Sequence, residues 1–299
     1  MSVLTRLREA RSRVNLRLFS FYLSIVLIIP AITIIIEYLV TVNPGLRNDL
    51  QVDMQNFHLY QVFTSSFVHL NFDHFVANVT AYLLIAVYGL VLATLVNRKR
   101  LYLVLSKIIV VVFLVFGAFF AYFNATTSYY AGLSGIDSAL AGLLLLFWLV
   151  YLEHLSGQRM RHYYGIVLSG VLALSAGIIA RYIILYHAVH NAVFVGALAG
   201  ILVLLGCVIL LYRQQFLEVY RVLAGFTWST RLVTVAIVAI FAYFVWNLFP
   251  ERLAPSTRTV SISLHVAGIV IGILAGYLLL VYLEQFAYFY GEKEVISRP

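Results

Sequence analysis

The chain has 299 residues, of which 63% are hydrophobic and only 11% charged, against roughly 25% charged in a soluble domain. That balance excludes an ordinary soluble globule. Several apolar runs exceed the ~20 residues needed to span hydrocarbon as helix, which also excludes a barrel of roughly ten-residue strands. The net charge of +8 is dispersed among short connecting segments, so membrane topology accounts for it and no nucleic-acid partner is implied.

Five arginines, Arg6, Arg8, Arg11, Arg13 and Arg17, precede the first apolar run at 19–40. That run is too long for the apolar stretch of a cleavable signal, and no small-residue cleavage site follows it, so it reads as a retained first helix. Further spans are expected at 73–96, 101–123, 133–152, 163–183, 188–212, 231–249 and 259–283, making eight. The stretch 163–212 is read as two spans meeting near 186–190, because a single span would put Arg213 and Arg221 on the wrong side. The segment 41–72 is the longest outer connection and carries Phe57-His-Leu-Tyr60, suited to the membrane interface. Alternating the loops between two sides places fifteen basic residues on one and four (Arg47, Arg181, Arg252, Arg258) on the other, with Lys107 left in a span. Cytoplasmic loops carry the Lys/Arg excess, so both termini are expected inside, in the cell membrane. Residues 1–18 form a basic cytoplasmic segment, 19–284 one transmembrane domain and 285–299 a cytoplasmic tail. The single cysteine, Cys207, rules out a disulfide framework and reads as a small buried hydrophobe.

Polar side chains are expensive in hydrocarbon and stand there for function or helix pairing. His74 and Asn78, four apart, share one face at the outer start of the second span. Gly132-Leu-Ser134-Gly135 opens the fourth span from the same side, and His265 lies about two turns into the last. All four functional side chains thus come to a similar depth. A serine hydroxyl becomes a useful nucleophile when an imidazole takes its proton. Glycines beside it let a carbonyl approach, and the unpaired N–H groups of a helix start, with His74 and Asn78, can hold an oxyanion. Asp137, roughly 60° round the helix from Ser134, is a candidate to orient His265, or a buried acid paired with Arg181, a histidine or a hydroxyl. His69 is expected to brace the outer loop.

Gly268, Gly272 and Gly276 line one face of the last span, and such a stripe lets helices pack backbone to backbone. Pressed against the Ser138/Gly142 side of the fourth span, it would bring His265 to Ser134. A rival, His190 in His187-Ala-Val-His190-Asn191, has its glycines six and ten residues on, about 120° and 80° away from the imidazole. His265 has its own within about 60°. His265 is therefore the expected base. Asn124-Ala-Thr126 fits a glycosylation acceptor. The sequence holds no metal-ligand cluster and no phosphate-cradling loop, so no cofactor is implied.

These residues together resemble the rhomboid family of intramembrane serine proteases. The carrying segments are Phe63-Thr-Ser-Ser-Phe-Val-His69, His74-Phe-Val-Ala-Asn78 with Gly89, Gly132-Leu-Ser134-Gly135, and His265-Val-Ala-Gly268 with Gly272, in family order across about 45–280. The resemblance implies a rhomboid-like bundle with Ser134 as nucleophile, His265 as general base, and His74 and Asn78 as oxyanion stabilisers. It implies transmembrane protein substrates and no cofactor. A catalytically inactive rhomboid-like binder of transmembrane helices is the alternative. The chain departs from the family pattern in three places. Three spans instead of one separate the serine and histidine helices, a serine occupies position 138 where well-known members carry an aromatic, and the first outer loop has no Trp–Arg pair.

Overall fold

The computed structural model describes residues 16–53, 56–123, 129–130, 132–157, 164–185, 190–247 and 262–289. Helices occupy every apolar run. They are α1 (Leu16–Val26), α2 (Ile28–Val42), α3 (Gly45–Leu50), α4 (Gln61–Thr64), α5 (Phe72–Leu95), α6 (Lys99–Phe123), α7 (Ser134–Ser156), α8 (Tyr164–Leu185), α9 (Ala192–Leu211), α10 (Arg213–Gly225), α11 (Trp228–Asn247) and α12 (Ile262–Phe289). Six segments are long and apolar enough to cross a membrane: Leu16–Val42, α5, α7, α8, α9 and Thr230–Asn247. This is the make-up of an all-α polytopic membrane protein.

The first span is not one unbroken helix. Pro30 has no N–H to give the Val26 carbonyl, and the helix is interrupted at Leu27. In hydrocarbon a freed carbonyl must find another donor. Tyr82 of α5 supplies it, its hydroxyl donating to Val26 O at 3.3 Å.

The central helix is α7, which is buried almost throughout its length. Helices α5, α6 and α12 pack around it. The α5–α6 contact turns on Gly89, where a Cβ would stand 2.6 Å from Tyr102 Cζ. With that space left open, the Tyr102 hydroxyl reaches Ala86 O at 2.9 Å. Gly157 ends α7 in the left-handed region, φ 74°, its N–H closing on Glu153 O.

Helices α8 and α9 lie in sequence between α7 and α11. Helix α9 rests mainly on α8, and hardly any of it is buried among the described residues. Cys207 is accordingly exposed rather than buried, because α9 is covered on one side alone. Helices α7, α8 and α11 leave an apolar cavity of about 440 Å³, lined by Leu145, Trp148, Gly170, Gly177, Phe241 and Val245 among others.

Candidate active site

Helix α5 begins on Asn71, whose side chain accepts the N–H of His74 at 2.8 Å, an N-cap that fixes the first turn. One turn on, Asn78 Nδ2 lies 3.1 Å from His74 Nε2. An amide nitrogen can only donate, so the imidazole accepts through Nε2 and the neutral ring carries its proton on Nδ1. Both side chains are buried.

Gly132 has φ +117°, a backbone region that L side chains rarely adopt. A Cβ there would sit 3.1 Å from His74 Cε1 and 3.4 Å from Asn78 Nδ2. The loop entering α7 therefore lies directly on the His74/Asn78 pair. It is tied from its other side as well, since Gly132 N donates to Ser65 O at 2.9 Å. The short strands β1 (Val52–Asp53) and β2 (Tyr129–Tyr130) pair antiparallel just before it. Ser134 is the first residue of α7, and no side chain caps that end. The N–H groups of this first turn have no intrahelical acceptor and face no competing cap.

Helix α12 approaches α7 through its glycines. A Cβ on Gly268 would lie 2.7 Å from Ser138 Cβ and 2.8 Å from Gly135 O, and one on Gly272 would overlap the Ala139 carbonyl. From the other helix, a Cβ on Gly142 would overlap the Ile269 carbonyl. The backbones are thus in contact on the side of α7 expected from the stripe. This register delivers His265, whose Nε2 lies 2.9 Å from Ser134 Oγ. Both residues are nearly sealed from solvent, at 6% for Ser134 and 1% for His265. Ser138, smaller than an aromatic, spends its hydroxyl on Ser134 O at 2.7 Å.

Ser134, His265, His74 and Asn78 are thus gathered around one loop. Asp137 is not joined to them by a hydrogen bond. It is buried, yet among the described residues neither carboxyl oxygen has a hydrogen-bond partner. Arg181, the cation suggested for it, instead donates from Nε to Trp246 O at 3.1 Å and lies over the Trp246 ring. His190 is exposed at the start of α9. Its glycines, Gly196 and Gly200, have open space where a Cβ would stand. His187 and Asn124 lie outside the described residues.

The sequence reading did not single out Glu37. It is buried within α2, and its carboxylate meets Arg47 and His69. A lone carboxylate inside the run Ile34-Ile-Ile-Glu37 was the available signal. His69 does brace the connection between α2 and α5, fully buried against Glu37. Burial pushes its imidazole pKa down, opposed by the neighbouring Glu37 carboxylate. Among the described residues no group of three His, Cys, Asp or Glu side chains is placed to hold a metal ion. No family model, curated protein or solved structure matches the chain.

Proposed function

We propose that the chain is an intramembrane serine endopeptidase of rhomboid type, cleaving peptide bonds in or near transmembrane segments of other membrane proteins. The observation that carries this reading is the 2.9 Å contact between Ser134 Oγ and His265 Nε2. The pair sits beside an uncapped helix start and a buried amide–imidazole pair. The reading counts α6 and α12 as spans besides the six apolar ones, with both termini on the cytoplasmic side of the cell membrane.

In this mechanism Ser134 Oγ–H donates to His265 Nε2 as the oxygen attacks the substrate carbonyl carbon. A C–O bond forms, and the carbonyl electrons move onto oxygen. N–H groups at the start of α7 and the Asn78 amide are the donors for that oxyanion, with His74 holding the amide. Collapse breaks the C–N bond, and the imidazolium returns its proton to the leaving amine. Water then hydrolyses the acyl-enzyme by the same proton path.

A fluorophosphonate probe tests the assignment without a known substrate, since it forms a covalent bond only with an activated serine. The expected outcome is labelling of the wild type and none of Ser134→Ala or His265→Ala. Replacing Asn78, or His74 that orients its amide, with alanine is expected to slow labelling by roughly 10-fold to 10³-fold, the scale of one oxyanion donor lost or misplaced. Labelling that persists in Ser134→Ala overturns the assignment. A folded wild type that takes no label favours the inactive binder of transmembrane helices.

A further inference from the structure

The connection before α5 contains a partly buried ionic cluster, with Glu37 and His69 inside and Arg47 half-exposed at its edge, that touches none of the reacting atoms. Glu37 Oε1 accepts from Arg47 Nη2 at 3.1 Å. Glu37 Oε2 accepts the backbone N–H of His69 at 3.2 Å and lies 3.6 Å from the His69 Nδ1 atom. Arg47 Nη1 donates to Leu70 O at 3.3 Å. Two consecutive residues, 69 and 70, are therefore gripped by one carboxylate and one guanidinium. Asn71, the N-cap of α5, comes immediately after them. The His69 ring, with no solvent exposure, stands edge to face with the His74 ring at 5.4 Å between centroids and with Phe75 at 5.6 Å.

Such a pair adds little stability, because solvent screens the exposed guanidinium and desolvation of the buried carboxylate offsets the attraction. What it adds is direction. The carboxylate has distinct partners on its two oxygens, and the guanidinium fork spans Glu37 and the Leu70 carbonyl. Together they fix the backbone entering α5, and the carboxylate stands 3.6 Å from the ring that this backbone carries. That ring forms one wall of the place occupied by the His74 imidazole. His74 must hold its Nε2 within 3.1 Å of Asn78 Nδ2 for the amide to be oriented.

We propose that Glu37 and Arg47 are positioning residues for the oxyanion side of the site, acting through His69 on His74. The inference rests on the reading of Ser134 as an activated nucleophile. It predicts a specific dependence: the carboxylate matters only while the His74 ring is present to be positioned. A cluster that merely braced the loop would matter equally with or without that ring.

The test is a double-mutant cycle read as the second-order rate of fluorophosphonate labelling, using full-length protein in detergent. Glu37→Gln in the wild-type background is expected to slow labelling by about 10-fold, the low end for a disturbed oxyanion donor. In a His74→Ala background the same substitution is expected to change the rate by less than about twofold. An equal slowing in both backgrounds overturns the proposal, as does a wild-type rate for Glu37→Gln. Should Glu37→Gln lower the folded fraction on thermal unfolding, Arg47→Lys carries the same cycle. It keeps the charge but loses the two-pronged grip, and additivity there counts against the proposal in the same way. Absence of label on the wild type defeats the nucleophile reading itself, and that arm is scored before the cycle is run.

Discussion

Helices α12 and α9 both carry glycines spaced four apart in an apolar run, and in both cases the glycines follow a histidine in the sequence. In α12 the glycines lie against the backbone of α7, with Gly268 and Gly272 admitting no Cβ without a clash. In α9, Gly196 and Gly200 meet nothing within 4 Å among the described residues, and the helix is hardly covered by them. The two stripes have similar composition and opposite fates. The difference lies in register to the histidine and in the surface opposite. Helix α7 presents Gly135, Ser138, Ala139 and Gly142, so that carbonyls and small side chains receive the incoming glycines. Small residues permit close approach, but a contact forms only where the facing helix is equally lean.

The comparison can be broken most directly by filling both stripes. Gly272→Leu places a side chain into the Ala139 carbonyl. The cost is expected to exceed the ~1–3 kcal/mol usual for overpacking, because backbone must move instead of a flexible side chain. Loss of cooperative thermal unfolding together with loss of fluorophosphonate labelling is the expected result. Gly200→Leu, into open space, is expected to stay within about 0.5 kcal/mol of wild type and to label normally. A destabilised Gly200→Leu would show that α9 has a partner face, and the contrast would fail.

A smaller effect is expected at Gly132, where conformation and space coincide. Gly132→Ala must hold φ near +117° with its methyl 3.1 Å from His74 Cε1. Backbone strain of about 1–3 kcal/mol and displacement of the His74/Asn78 pair are both expected. Labelling should therefore slow by more than the drop in folded fraction explains. Equal losses of rate and fold would mean that the loop does not touch the site.

The smallest effect concerns pH and separates the His69 cluster from the α7–α12 seam. Burial lowers the His69 pKa from 6.5, so the unfolded chain takes up a proton near that pH while the folded chain stays neutral. The unfolded state then binds more protons, and stability rises with pH. The contribution is complete above pH 6.5 and is lost as pH falls from there toward the lowered folded value. Thermal unfolding of wild type and His69→Gln between pH 7.5 and 5.5 reads it. The wild type is expected to lose more stability on acidification than the variant, and parallel curves would contradict the buried neutral imidazole.

How much of this was legible depends on the range of the interaction. The described residues of the apolar runs are helical and six segments are long and apolar enough to span, because a spanning helix satisfies its own backbone hydrogen bonds and its signal is local. The pairing of His74 with Asn78 follows from i, i+4 geometry on one helix. The glycine register that favoured His265 over His190 was also readable, since rotation per residue is fixed. The first span reads as one helix although Pro30 stands in it, and nothing near Pro30 in sequence names Tyr82 as the donor to the freed carbonyl.

Other features required the assembled bundle. Ser134 and His265 are 131 residues apart, and their contact exists because α12 seats on the lean side of α7. Glu37, Arg47 and His69 are polar residues whose convergence no periodicity encodes, and Asp137 was expected to find a partner that packing does not supply. Cys207 looked buried by composition and is exposed, because one-sided cover of α9 is a property of its neighbours. The sequence alone thus determined which segments are helices in a membrane and which polar groups share a face. Tertiary structure alone decided which faces meet, since close approach depends on the shape of two surfaces at once and each is written in a distant part of the chain.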